Sequence, residues 1–381
     1  MIRRVIVKNF KSLDIDVPLD PVTVLVGRSG TGKTNFVAAL RFLRDFLTAP
    51  QAVLGDQKRW RSALPAFGKP EGSMSFTIEY DIPGVLDTSV YDIVFHYRRA
   101  GGFQLFEEKL CIGGDVLFHV TLGSQPRWEK QPHVLPLPEL GHQRPILSVL
   151  NGVKKVSIAH IALTQGIGCY DFPGSVCTEN GNAAHNNLDD VAANYTVVFD
   201  AIQKDLTKPT AWDDINAALH SLNESFQTID KSARQGGNVI VSHAFNGGAA
   251  ITFDIAQESE GFRRFLAHLL ALYQTPSKQT LVFEEPEKGI HPGALQTLAE
   301  EIKACPKEGR GQVILTTHSP NLLNYFAPES IRAVEIHDGV TKIGKLTQSQ
   351  LESLSESLLR PGELLTVEDA RIETVPSAEG A

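Results

Sequence analysis

The sequence has little of what marks secreted, membrane-spanning or thiolate-metal proteins. Its four cysteines (Cys111, Cys169, Cys177, Cys305) form no CxxC pair, and the Cys169/Cys177 gap matches no common zinc spacing. They read as ordinary thiols in a reducing compartment. Apolar runs are short and interrupted, the stretch around 265–273 included, so no bilayer crossing is expected. Met1-Ile2-Arg3-Arg4-Val5-Ile6-Val7 turns polar at Lys8, which leaves no signal h-region and no apolar segment to make a twin-arginine signal of Arg3-Arg4. Basic excess is also missing. Lys plus Arg number 36 against 44 Asp plus Glu, a net charge of −8, so nucleic acid would have to use a local groove rather than the whole surface. There is no internal repeat and no sustained heptad, so a long coiled coil is not expected. A cytoplasmic protein that does not enter membranes is the expectation.

What is present is ordinary globular material: 42% apolar residues, 31 Gly and 21 Pro, which excludes disorder as the main state. A length of 381 residues predicts two or three structural units. Residues 4–7 and 22–26 read as strands, the second running through a glycine-rich turn into a helical pattern over 36–43. From 70 to 122 the period is two, with Phe76, Ile78 and Tyr80, then Tyr91, Ile93, Phe95 and Tyr97, alternating with polar neighbours; this predicts an antiparallel meander with one aromatic face. Between 123 and 190 Pro and Gly are frequent and regular elements are hard to place. Helices are expected at 188–204 and 212–229, and a hairpin at 239–255 turning at Asn246-Gly247-Gly248. The last third alternates: helix 262–273, strand 280–284, helix 293–305, strand 313–317, hairpin 331–346 around Asp338-Gly339, and a frayed tail.

Residues 27–34 read Gly27-Arg28-Ser29-Gly30-Thr31-Gly32-Lys33-Thr34, a complete GxxxxGK[ST] between an apolar strand and a helix. Glycines let successive N–H groups turn inward around phosphates, and the helix N-terminus adds partial positive charge. Lys33 is the candidate for the β- and γ-phosphates and the Thr34 hydroxyl for Mg²⁺. Ser29, Thr31 and Asn35 complete the candidate cradle. The bland alternative is a glycine turn capping an unrelated helix.

Leu281-Val282-Phe283-Glu284-Glu285-Pro286-Glu287 is an apolar strand ending in adjacent carboxylates. One acid can hold a metal's water shell and the next can polarise an attacking water. Alone, such a pair at a strand end is more often a solvated turn; coupled to the 27–34 loop it gains meaning. Val313-Ile314-Leu315-Thr316-Thr317-His318-Ser319-Pro320 is a buried strand with His318 at its tip, either an edge histidine or a sensor of the γ-phosphate. Glu258-Ser259-Glu260-Gly261 opens a helix; Ser259 is a good N-cap, or it forms with Gly261 a second anion site.

The order Asn9-Phe10-Lys11-Ser12, the 27–34 loop, Ser259-Glu260-Gly261, Glu284-Glu285-Pro286-Glu287 with Gly289-Ile290-His291-Pro292, then Thr317-His318-Ser319-Pro320 resembles the ABC-type ATPases of the SMC/RecF-like group. Within it, the chain is similar to compact prokaryotic AAA family ATPases without a long coiled coil. The resemblance covers 1–48 and 238–347. It implies an α/β fold, a P-loop NTPase head of ABC type with a mixed sheet core and an inserted β-rich and helical lobe. The head would comprise 1–48 (Walker A) and 238–347 (signature, Walker B, switch histidine), with the inserted lobe at 49–237 and a helix and tail at 348–381. It further implies ATP and Mg²⁺, Glu284 as metal ligand, Glu285 as base, His318 as switch histidine, and an ATP-bound homodimer in which Ser259 of one chain faces Lys33 of the other. Three features depart from the group's pattern. Glu284 stands where most ABC proteins have Asp, Ser-Glu-Gly stands for Ser-Gly-Gly so that the Glu260 carboxylate must point away, and no Q-loop glutamine is assignable (Gln51 and Gln57 are the candidates).

The expected function is an ATP-driven dimeric switch acting with DNA and, in trans, with a nuclease or other effector, in phage defence or DNA maintenance; the resemblance alone supplies that setting. A transporter ATPase subunit fits the core motifs but not the 9–12 segment, the 289–292 segment or the large insertion. A self-contained overcoming-lysogenization-type nuclease is disfavoured, because 63 residues follow His318 where such a domain needs about 100.

Overall fold

The computed structural model describes residues 1–65, 70–82, 84–85, 87–122, 144–150, 152–178, 186–231, 238–245 and 248–373. Most of the Pro-rich 123–150 stretch, the 246–247 turn and the expected tail lie outside them. In chain order, strands β1 (Ile2–Phe10), β2 (Leu13–Pro18) and β3 (Val22–Val26) lead into helix α1 (Lys33–Thr48), then α2 (Pro50–Gly55) and α3 (Gln57–Ala63). The strands β4 (Glu71–Tyr80), β5 (Ser89–Arg98), β6 (Gly102–Ile112) and β7 (Asp115–Thr121) follow, then α4 (Ile146–Val149), α5 (Lys154–Thr164) and β8 (Ile167–Tyr170). Helices α6 (Tyr195–Lys204) and α7 (Ala211–Leu222) precede β9 (Phe226–Lys231), β10 (Val239–His243) and β11 (Ile251–Asp254). Next come α8 (Glu260–Tyr273), β12 (Thr280–Glu284), α9 (Leu295–Lys307), β13 (Gln312–Thr316) and α10 (Pro320–Leu323). The hairpin β14 (Ile331–His337) and β15 (Val340–Lys345) and helix α11 (Gln348–Ser355) complete the order.

The chain forms two compact units, 1–167 with 328–381, and 168–327. Among the described residues of the first, nine strands lie in the order β7-β6-β5-β4-β1-β2-β15-β14-β3. Most neighbours are antiparallel, but β3 runs parallel to β14 and β15 parallel to β2, so the sheet is mixed. The expected meander is present, and its first strand pairs with β1 from Ile2↔Tyr80 to Lys8↔Ser75, which makes it a continuation of the sheet that carries the phosphate loop. Its aromatic face is buried as the alternation predicts, Tyr91, Phe95 and Tyr97 all inward. Phe42 of α1 lies within 5.5–6.1 Å of Phe10, Phe76, Phe95 and Phe103, so rings from four strands cover the helix that follows the loop. Each buried ring removes enough apolar surface to contribute about 1.5–3 kcal/mol, and each aromatic contact adds roughly 0.5–1.5 kcal/mol.

In the second unit β12 and β13 pair in parallel, register Glu284↔Thr316 at their ends. Strands β9, β10 and β11 form a separate antiparallel sheet. The helix expected over 212–229 ends at Leu222. Asn223 folds back to accept from the Ser225 N–H and hydroxyl, and the β-branched Thr228 and Ile229 enter the strand paired with β10. The helix expected over 188–204 begins only at Tyr195, because Asp189 accepts from the N–H groups of Val191, Ala193 and Asn194 and holds a turn there. Among the described residues, no helix is long and apolar enough to cross a membrane.

Candidate functional site: a phosphate loop and a carboxylate–histidine cluster

In the first unit the chain leaves β3 at Val26 and reaches α1 through residues 27–32. Gly30 and Gly32 adopt φ of 81° and 104°, conformations that side-chain-bearing residues rarely take. Helix α1 begins with Gly32 at the N-cap position, with no side-chain cap and no acid in its first turn. Its first N–H groups and dipole are thereby left for an external anion. Lys33 is buried and its Nζ donates to the carbonyls of Gly27 (2.7 Å) and Arg28 (2.9 Å), which folds the loop around the ammonium. Arg28 pairs with Asp369.

A hydroxyl relay buttresses the loop from behind. Thr341 Oγ1 donates to the Thr31 carbonyl (2.7 Å), so the hydrogen in its 2.7 Å contact with Ser12 comes from Ser12 Oγ, which in turn accepts from Asn35 Nδ2 (2.8 Å). The Asn9-Phe10-Lys11-Ser12 segment thus reaches the loop through its last residue. Asn9 and Lys11 have positive φ, and Asn9 Nδ2 donates to the Ser73 carbonyl.

In the second unit β12 ends at Glu284, and Glu285 turns left-handed with φ of 47°. That turn breaks the strand's alternation of faces and stores strain, which non-glycine residues retain where the surroundings over-determine it. Glu285 N donates to the Thr316 carbonyl (3.1 Å). The Glu285 carboxylate lies 3.7 Å from His318 Nε2 and 3.2 Å from Lys288 Nζ. The structure therefore brings together two residues proposed from sequence 33 positions apart.

The helix expected at 262 starts at Glu260, with Ser259 as N-cap accepting from Phe262 N (3.2 Å), the conservative expectation for this serine. Ser259 is also exposed. A Cβ on Gly261 would stand 2.7 Å from the Gly289 carbonyl, so the start of α8 packs tightly on the turn after the acidic strand. Glu260 pairs with Arg264 one turn further along α8 (2.9 Å).

Two further residues fix this helix start, and sequence reasoning missed both. Arg263 donates to the carbonyls of Val176 (3.0 Å), Gly174 (2.8 Å) and Glu258, which ties the 174–176 stretch to the start of α8. Buried His243 bridges Ser225 Oγ (2.9 Å) and Glu258 Oε1 (2.9 Å), linking the end of β10 to the residue before Ser259. Beneath the acidic strand, burial pushes His268 down to about 4; its ring packs on Phe172 and Phe283 as a neutral core residue. Among the described residues no three His, Cys, Asp or Glu side chains gather as a metal site. Thr34 and Glu284 each carry an oxygen donor of the kind magnesium takes, that ion usually being held by one or two protein oxygens together with phosphates and water.

Residues 183–324 match the family described as "AAA domain, putative AbiEii toxin, Type IV TA system", and residues 1–79 match "AAA ATPase domain". A curated relative, the OLD nuclease of Thermus scotoductus, is 34% identical over 139 residues; that stretch covers 34% of this chain and 22% of the relative. The chain thus spans about a fifth of the length of that relative. Among solved structures, an SMC head bound to the C-terminal winged-helix domain of ScpA superposes with TM-score 0.58 at 15% identity, over 92% of this chain and 99% of that one. The SMC head of Pyrococcus furiosus with an extended coiled coil gives 0.57 at 13%, over 94% and 99%. The phosphate loop and the two family matches make the chain similar to AAA-type P-loop ATPases, and its fold is that of the SMC heads, an ABC-type ATPase fold.

Proposed function

We propose that the chain binds MgATP at residues 27–35 and hydrolyses it as a nucleotide-gated, dimerising switch. The observation that carries this reading is the start of α1: an N-terminus without cap or acid, entered through two left-handed glycines and closed around a buried lysine. In the proposed roles, Lys33 contacts the β- and γ-phosphates, Thr34 and Glu284 hold magnesium, Glu285 polarises the attacking water, and His318 beside it senses the γ-phosphate. Ser259 and Gly261 present the start of α8 to the nucleotide of a second chain. The setting proposed is cytoplasmic, with DNA and an effector such as a nuclease in trans, in phage defence or DNA maintenance. The likeness to an OLD nuclease favours a second reading, a nuclease on the same polypeptide; cleavage of DNA by the purified chain with magnesium or manganese would establish it.

The deciding experiment measures binding of a fluorescent ATP analogue and phosphate release side by side. Lys33→Ala should lose binding, and unchanged affinity would refute the site. Glu285→Gln should bind normally while turnover falls by about 10²–10⁴-fold, the contribution of a general base.

A further inference from the structure

The carboxylate two residues beyond Glu285 has a definite task in the structure. Glu287 Oε1 gathers three donors from the turn after β13: Thr317 Oγ1 at 2.8 Å, His318 N at 2.8 Å and Ser319 N at 3.1 Å. Its Oε2 is buried and meets no hydrogen-bond partner among the described residues. Two backbone amides and a hydroxyl on one anionic oxygen make a strong, charge-assisted clamp. It closes where the parallel pairing of β12 and β13 ends, beyond Glu284↔Thr316 and the bond from Glu285 N to the Thr316 carbonyl. The short helix α10 does not need this carboxylate as its cap, because Ser319 Oγ already accepts from Leu322 N (3.1 Å). What the clamp does fix is the backbone of His318, whose ring stands 3.7 Å from Glu285.

We propose that Glu287 is a positioning residue, holding the 317–319 turn so that His318 stays beside Glu285 during turnover; this rests on the ATP-hydrolysis reading above. Geometry of this kind matters because a displacement of about 1 Å at a reacting centre can cost on the order of 10²-fold in rate. The phosphate loop is built from other elements, so substrate binding should be spared.

The test combines steady-state kinetics with amide exchange on the full chain. Glu287→Ala should lower kcat by roughly 10–100-fold with KM for MgATP within about twofold of wild type. Glu287→Gln, which keeps an acceptor oxygen, should recover much of the loss. The amides of His318 and Ser319 should exchange at least about tenfold faster in Glu287→Ala, while β13 itself stays protected. If Glu287 acts through His318, the double variant Glu287→Ala/His318→Ala should turn over no more slowly than His318→Ala alone. Additive losses, or wild-type kcat in Glu287→Ala, overturn the positioning role while leaving ATP hydrolysis intact. A wild-type chain without turnover overturns the hydrolysis reading and this inference with it.

Discussion

Gly32 meets two constraints at once. Its φ of 104° disfavours any side chain, and a Cβ there would lie 2.2 Å from Thr341 Oγ1, the hydroxyl that donates to the Thr31 carbonyl. Gly32→Ala should therefore destabilise the chain by about 2–3 kcal/mol, from backbone strain and overpacking together, and weaken nucleotide binding as the loop shifts. Chemical unfolding of Gly32→Ala, Thr341→Ala and the double variant checks the cause. Removing the threonine side chain should recover part of the alanine's cost, whereas simple additivity would place the strain elsewhere. At this scale the sequence was legible where chemistry is local. The 27–34 spacing, the acids at 284 and 285 and the histidine at 318 announce themselves within a few residues of a strand end. The residues that hold them in place do not. Thr341 reaches the loop across 310 positions and His243 reaches Glu258 across 15, and neither sits in a pattern that spacing could flag.

Among the elements, the segment 146–164 shows how the far end of α1 is held. Ser148 Oγ and His160 Nε2 both meet the Leu47 carbonyl in the last turn of α1 (2.7 and 3.1 Å). The segment is anchored in turn by Glu108 on β6, wholly buried, whose carboxylate takes Tyr91 Oη (2.9 Å) and the N–H groups of Ile146 and Leu147. Burial pushes the Glu108 carboxyl up to about 7, against the pull of those donors. Between an unfolded value near 4.5 and that folded value, the native chain keeps a proton the unfolded chain has lost. Stability from this group should therefore fall as pH rises through that window, by up to roughly 3 kcal/mol. Urea unfolding at pH 5 and pH 7.5 should show that loss in wild type and not in Glu108→Gln. A wild type that gains stability relative to Glu108→Gln over the same range would mean the three donors keep the carboxylate ionised. Helix α5 in this segment escaped sequence reading because its apolar residues surround it: Val156, Ala159 and Leu163 are buried, yet Ile161 is exposed. Strand β2 escaped for a different reason. Its alternation Leu13-Asp14-Ile15-Asp16-Val17 is regular but short, and only pairing with β1 makes it a strand.

For the whole molecule, the exposed start of α8 is the surface on which the proposed self-association turns. Ser259 already caps its own helix, so its hydroxyl serves the fold, while the N–H groups and dipole at that end remain available to an anion. Arg263 and the His243–Glu258 pair hold this terminus through several hydrogen bonds. A second chain bringing its own nucleotide would give that bracing a purpose, and two-fold pairing fills two such sites at once. Light scattering of Glu285→Gln with and without MgATP reads this directly: ATP should convert monomer to dimer, since binding is retained and hydrolysis is slowed. Ser259→Arg should prevent dimerisation while the monomer's ATP affinity stays within about threefold of wild type, because the loop at 27–35 keeps its own donors. The arginine also removes the cap, at a cost of about 1 kcal/mol, so Ser259→Thr serves as the control that preserves the cap and should still dimerise. A Glu285→Gln chain that remains monomeric with ATP bound would show that the α8 terminus serves some other anion. A dimer that persists without nucleotide would assign self-association to another surface, with ATP as its cargo rather than its cause.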